Sequence, residues 1–166
     1  MSRLFLLRHA RAGWAEPGMR DFDRPLAESG ADDAEALGFA MQAHGYVPSL
    51  TLCSNATRAR QTLEGIAAIT DTGRVVYLDS LYSEDASGYL KIIWESEASG
   101  SLLVIGHNPM LEDLTVALAG DGDKAARAVL NAGFPTSGLA VISFPGGLAK
   151  AVPGNGFLEA FMTPAS

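Results

Sequence analysis

A three-layer α/β fold with a mostly parallel central sheet is predicted by three features of the sequence. Short apolar runs alternate with segments of helical periodicity along the chain, the order of a doubly wound sheet. The run Leu4-Phe5-Leu6-Leu7 is apolar without a break, the mark of a strand buried on both faces. Two later runs, Leu50-Thr51-Leu52-Cys53 and Leu102-Leu103-Val104-Ile105, behave alike, and all three end abruptly in polar residues.

The first strand covers residues 3–8. Residues 10–26 follow as a long polar segment with Trp14, Gly18, Arg20, Asp21, Asp23, Arg24 and Pro25. Long loops without structure of their own are usually functional, and this one is expected to fold over or beside the strand ends. A helix is predicted over residues 28–44. Ala34, Leu37, Gly38 and Met41 fall on one face, and Asp32, Asp33 and Glu35 lie early, where the helix dipole favours negative charge. Gly45 ends it, and His44 in its last turn is a favourable dipole partner.

A second strand covers residues 50–54. A helix over residues 57–70 follows, with Leu63, Ile66, Ala67 and Thr70 inward and Asn55 or Thr57 as cap. Residues 74–78 read as a strand, residues 81–85 as a loop, and residues 87–97 as a helix burying Leu90, Ile93 and Trp94. After a strand over 102–106, Asn108 serves as a cap and Pro109 as the first helical residue, where its missing N–H costs nothing. That helix, residues 109–119, turns Leu111, Leu114 and Leu118 inward. A short helix over 124–130 and strands over 138–144 and 157–162 complete the sheet. The 166 residues hold no repeat, linker or low-complexity tract and read as a single domain.

Apolar content of 48% and charged content of 19% describe an ordinary globular protein. A net charge of −7 argues against nucleic acid or an anionic membrane as partner. Yet Arg3, Arg8, Arg11, Arg20, Arg24, Arg58 and Arg60 all precede residue 61, many of them beside strand ends. That pattern points to a local anion site, because the guanidinium fork suits phosphate or carboxylate. The single cysteine, Cys53, excludes an intramolecular disulfide and reads as a small buried residue. The apolar start is too short for a signal-peptide core, and no run is long enough to span a membrane. The cytoplasm is the expected compartment.

In open α/β sheets, ligands bind at the carboxyl ends of the strands. The three apolar runs deliver Arg8, His9, Arg58 and His107 to one such edge. Arg58 also falls in a first helical turn, beside unpaired N–H groups that favour anions. Two arginines with two histidines suit a tetrahedral dianion. The arginines offset charge that builds up in phosphoryl transfer, and a histidine either hydrogen-bonds the phosphate or attacks phosphorus. Neighbouring guanidinium groups disfavour imidazolium, which would keep His9 neutral and nucleophilic near pH 7. A metal site built from His9 and His107 with Asp21 or Asp23 lacks a recognisable ligand spacing.

These residues carry a resemblance. Leu7-Arg8-His9-Ala10, Ser54 to Thr62 (SNATRARQT), and Gly106-His107-Asn108-Pro109 resemble the histidine phosphatase superfamily, which includes phosphoglycerate mutases. Asp23-Arg24-Pro25-Leu26 leading into Gly30 also matches, so that the resemblance covers roughly residues 3–145. Within the superfamily the chain is most similar to the short SixA-type phosphohistidine phosphatases, which carry RHA, as here, followed by an RPL segment. The resemblance implies a phosphoglycerate mutase-like fold and makes His9 the phosphorylated nucleophile. Arg8, Arg58 and His107 complete the phosphate pocket, with Asn108 and Arg24 as further substrate-binding candidates. It implies no metal and no organic cofactor.

Superfamily enzymes acting on phosphate esters place a glutamate after the third strand. Glu84 falls in about that region; Asp21 and Asp23 are rival acids, and the acid can also be absent. An alkoxide leaving group needs a proton badly, whereas an imidazole needs far less help. The leading expectation is therefore a phosphatase for a phosphohistidine protein such as a phosphotransfer domain. A phosphatase for a small phosphate ester, or less favourably a mutase, is the alternative within enzymes. A non-catalytic phosphate-recognition module is the alternative outside them.

Overall fold

In the computed structural model, residues 1–164 are described. The element order is β1 (Ser2–Arg8), a 3-10 turn (Asp21–Asp23), α1 (Glu28–His44), β2 (Leu50–Ser54), α2 (Thr57–Ala67), β3 (Arg74–Leu78) and the one-turn helix α3 (Ser80–Ser83). Then come α4 (Ala86–Glu95), β4 (Ser101–Gly106), α5 (Met110–Leu118), β5 (Ala119–Gly122), α6 (Lys124–Asn131), β6 (Leu139–Phe144), a second 3-10 turn (Leu148–Lys150) and β7 (Gly156–Met162). Among the described residues the strands form one seven-stranded sheet in the order β3-β2-β4-β1-β6-β7-β5. The pairs β3–β2, β2–β4, β4–β1 and β7–β5 are parallel; β6 runs antiparallel to both neighbours.

The unbroken apolar run of β1 is explained by its place at the centre of the sheet, with helices on both sides. Leu4 and Leu6 face the layer of α4, α5 and α6, where Tyr89, Ile93, Leu111, Leu114 and Leu118 are buried. Phe5 and Leu7 face the layer of α1 and α2, against Leu37, Met41, Leu63 and Ile66. The period-2 alternation of a strand thus feeds two cores.

The 10–26 segment has more structure than a loop. Ala12 bridges Leu26, and Ala27 N–H donates to the Arg11 carbonyl at 2.9 Å. The first turn of α1 is thereby pressed against this backbone. A Cβ on Gly30 would sit 2.1 Å from the Arg11 oxygen, so the position admits only glycine without movement.

Several expectations need correction. α2 ends at Ala67, and its buried face is Arg58, Ala59, Thr62, Leu63 and Ile66, not Ala67 and Thr70. Its cap position is Ala56; neither Asn55 nor Thr57 caps it, because Asn55 is held by Asp79 and Arg60 instead. Residues 80–83 form a helical turn that buries Leu81. In α4, Tyr89 is buried and Trp94 is 43% exposed, its indole N–H donating to the Ala151 carbonyl. Tyr89 can be buried because its hydroxyl donates to Leu81 O and accepts from His107 N–H. Pro109 occupies the cap position of α5, one residue before the helix proper. β5 escapes the sequence pattern since Ala-Gly-Asp-Gly has no strand-forming side chain, and among the described residues it pairs only with β7.

Replacing Gly30 with alanine should lower stability by about 1–3 kcal/mol, the usual cost of overpacking. Gly147→Ala, where a Cβ would meet nothing within 4 Å, is the control. Urea denaturation of the two variants beside the parent protein checks this.

Candidate active site

β1 and β4 are parallel neighbours in register, Arg8 opposite Gly106. Each chain continues directly into a histidine, and His9 N–H donates to the Gly106 carbonyl at 3.2 Å. The two imidazole rings consequently lie 5.2 Å apart, centroid to centroid. β2, on the far side of β4, ends at Ser54 and turns into α2, whose first turn carries Arg58. β6 runs the other way, so the segment before it, Gly133 to Gly138, arrives at the same edge. Ser137 N–H donates to the carbonyls of both Arg8 and His9 at 3.1 Å. Topology alone thus gathers Arg8, His9, Arg58 and His107.

The hydrogen bonds fix the tautomer of His9. His9 Nδ1 lies 2.7 Å from the Ala10 carbonyl, which only accepts, so Nδ1 carries the proton. Nε2 keeps its lone pair, and Arg58 Nε donates to it at 3.3 Å. His107 Nε2 pairs with Ser54 Oγ at 2.8 Å. Both histidines are almost fully buried, His9 at 7% and His107 at 5% exposure. Burial pushes His9 down to about 4; the Ala10 carbonyl opposes this, while the charges of Arg58, Arg8 and Arg24 add to it. Burial also lowers His107 to about 3, with His9 and Arg58 contributing. Both rings are neutral at pH 7.

Arg58 is only 5% exposed, and its charge is compensated by Asp21. Nη1 donates to the Asp21 main-chain carbonyl at 2.7 Å and Nη2 to its Oδ2 at 3.0 Å. Arg24 Nε donates to the other carboxylate oxygen at 2.9 Å, and the Tyr82 hydroxyl donates to Oδ2 at 2.8 Å. Partial burial would raise the Asp21 pKa, but these hydrogen bonds and positive charges outweigh it and bring the carboxyl to about 2. On the opposite side, Arg8 Nη1 and Asn108 Nδ2 both donate to the Phe134 carbonyl. Glu112 accepts from Phe134 N–H, and its own N–H donates to Asn108 Oδ1.

Arg8 Nε, His107 Nδ1 and Ser137 Oγ are buried and, among the described residues, have no hydrogen-bond partner. All three belong to residues at this sheet edge. Unpaired buried polar atoms are costly, and an oxyanion with several acceptor oxygens would satisfy donors of this kind. Ser137 also holds a positive φ of 58°, a conformation that non-glycine residues rarely adopt.

The remaining candidates fall elsewhere. Glu84 is not brought to the group. It follows the last residue of α3, is exposed, and its side chain lies against Gly88 in α4. Tyr82 takes the place expected of it, edge-on to His107 with centroids 5.4 Å apart. The helical turn of α3 is the reason: it sends Leu81 into the core and Tyr82 toward the histidines. Asp23 is paired with Arg20 at the surface. Arg24 stands one layer back, behind Asp21, and Asn108 steadies the Phe134 segment. Sequence reasoning missed Ser54, Tyr82, Tyr89 and Ser137. Only Ser54 carried a signal, its position at a strand end. An open cleft of about 550 Å³ lies between Asp21, Phe22 and Tyr82, and one of about 990 Å³ adjoins Phe134, Pro135 and Thr136.

Known proteins share this fold. The family model of the histidine phosphatase superfamily, branch 1, matches residues 4–84. A solved structure from Agrobacterium tumefaciens, provisionally named phosphohistidine phosphatase SixA, is 37% identical. It superposes with a TM-score of 0.84 over 98% of each chain. The chain belongs to the histidine phosphatase superfamily. It is a SixA-like member and a phosphatase. An uncharacterized protein of Mycobacterium tuberculosis is 37% identical over 95% of this chain and 99% of its own. A chloroplast protein of Arabidopsis thaliana, also uncharacterized, is 31% identical over 99% and 78%. A SixA structure with tungstate bound shares the fold, at 24% identity and a TM-score of 0.75 over 98% of this chain and 97% of that one. No helix among the described residues is long and apolar enough to cross a membrane.

The two lowered histidine pKa values set a pH dependence of stability. The unfolded chain binds these protons near pH 6.5, and the folded chain only near 4 and 3. Stability should be full above about pH 7 and fall as pH drops from 6.5 toward 4, by about 1.4 kcal/mol per unit for each histidine. Urea denaturation at pH 7, 6 and 5 measures the slope, and His9→Asn should reduce it by roughly half.

Proposed function

We propose that this phosphatase removes the phosphoryl group from a phosphohistidine side chain of a protein, through a phosphoenzyme on His9. In the first step the His9 Nε2 lone pair forms a bond to phosphorus as the substrate's N–P bond breaks. The electron pair of that bond stays on the departing imidazole, which leaves neutral when its other ring nitrogen carries a proton. Arg8, Arg58 and His107 hold the phosphoryl oxygens as charge shifts between the two nitrogens. The ring of His9 becomes positively charged, and the Ala10 carbonyl at Nδ1 stabilises it. In the second step water forms a P–O bond while the His9 N–P bond breaks. The water protons leave with the phosphate or solvent, and neutral His9 is restored.

The observation that carries this reading is that the carboxyl paired with Arg58, Asp21, accepts hydrogen bonds from Arg24, Arg58 and Tyr82 and is held ionised. The Asp21 pKa is lowered to about 2, and the exposed Glu84 side chain lies against Gly88 of α4. An alkoxide leaving group would gain no proton from an ionised Asp21, whereas phosphohistidine can receive its proton on the far ring nitrogen, away from the scissile bond. The open mouth adds support. Residues 79–101 contribute only α3, α4 and short connections, so this stretch lays no large insertion over the sheet edge against a protein substrate.

Phosphate release from a phosphohistidine-bearing phosphotransfer domain tests the proposal, with glycerol 2-phosphate, whose leaving group is an alkoxide, as the ester comparison. The domain should be turned over fast and the ester slowly, and His9→Ala should lower both roughly a thousandfold or more. His9-dependent cleavage of the ester with none of the domain would assign the enzyme to small phosphate esters instead.

A further inference from the structure

We propose that Asp21 is a positioning residue that acts through Arg58, holding its guanidinium in the orientation that the phosphoryl group meets. This rests on the assignment of His9 as nucleophile. Arg58 has three nitrogens, and each has a defined partner. Nε points at His9 Nε2, while Nη1 and Nη2 are both held by Asp21, one through its main chain and one through its side chain. A long flexible side chain buried beside two neutral histidines is thereby locked in its plane from the side away from His9.

The hold on Asp21 is itself built. Its two carboxylate oxygens receive Arg24 on one and Arg58 with Tyr82 on the other. Phe22 packs edge-on against Tyr82 at 5.0 Å, which joins the 10–26 segment to α3. Asp21 begins a 3-10 turn closed by the Arg24 N–H on the Asp21 carbonyl. The turn fixes the same carbonyl that Arg58 Nη1 uses. The residue is about half exposed, with 52% of its side-chain surface accessible. Burial therefore does not account for this set of contacts, and the carboxylate is spent on orienting donors. Its low pKa agrees, since a carboxyl ionised at every working pH serves as an anchor and not as a proton donor.

A positioning role and a direct role in proton transfer predict different coupling. If Asp21 acts through Arg58, removing it matters only while Arg58 is present. The experiment is a double-mutant cycle of Asp21→Ala and Arg58→Ala, with phosphoramidate as phosphoryl donor and kcat and KM read separately. Asp21→Ala should lower kcat/KM roughly 10- to 100-fold, the scale of a misplaced catalytic contact, and less than about twofold in the Arg58→Ala background. Asp21→Asn, which keeps an acceptor oxygen, should recover part of the loss. Tyr82→Phe should show a smaller loss in the same direction.

The ¹⁵N resonance of His9 Nε2 in the ligand-free protein supplies a reading independent of turnover. It should move in Asp21→Ala as the Arg58 N–H withdraws, with the urea midpoint recorded alongside to exclude unfolding. Additive losses, or an unchanged Nε2 resonance, would overturn the proposal and make Asp21 a group that acts on water or the leaving group directly. If instead His9→Ala retains the parent's activity, the nucleophile assignment fails, whatever the cycle shows.

Discussion

The site depends on one pairing, the parallel register of β1 with β4. Because Arg8 lies opposite Gly106, the next residue of each strand is a histidine at the same height on the same edge. A slip of one residue would turn one ring toward the opposite face of the sheet. That slip is prevented by the two cores, since Leu4 and Leu6 on one side and Phe5 and Leu7 on the other are all essentially inaccessible. The hydrophobic alternation of the central strand therefore sets the distance between two imidazoles. Gly106 completes the arrangement: a Cβ there would meet the Tyr89 hydroxyl at 2.6 Å, and that hydroxyl holds the His107 N–H.

Gathering two histidines and two arginines at a buried edge has an electrostatic consequence. The rings do not take up a second proton there near neutral pH, so they stay neutral, and the arginines are held by oxygen partners. Arg58 finds Asp21 and Arg8 finds the Phe134 carbonyl. What remains is a set of unpartnered polar atoms on Arg8, His107 and Ser137 and a buried lone pair on His9 Nε2 that faces the Arg58 N–H. A neutral nucleophile beside fixed positive charge suits attack on a phosphoryl dianion, which water would otherwise hydrate.

Much of this was legible in the sequence because the signals were strong. The apolar runs of β1, β2 and β4 have one physical reading, and α1 was marked by helical spacing and by Gly45 at a positive φ of 69°. Three elements read less clearly, for physical reasons. α3 is a single turn, too short for periodicity, so residues 81–85 read as a loop and Tyr82 carried no signal. In α4 a tyrosine took the core position that hydrophobicity assigned to Trp94, because its hydroxyl had two partners waiting. The role of Asp21 depends on contacts with residues 37 and 61 positions away. Long-range pairing of that kind leaves no trace in local pattern.

The central claim, that His9 Nε2 takes the phosphoryl group, is tested most directly by trapping the phosphoenzyme. Wild-type protein would be mixed with a phosphoryl donor, quenched in alkali within milliseconds, digested, and read by mass spectrometry and ³¹P NMR. A phosphoryl group on His9, stable in alkali, lost in acid and joined through Nε2, is the predicted result. A phosphoryl group on His107 or another residue, or turnover with no phosphoenzyme under single-turnover conditions, would contradict it.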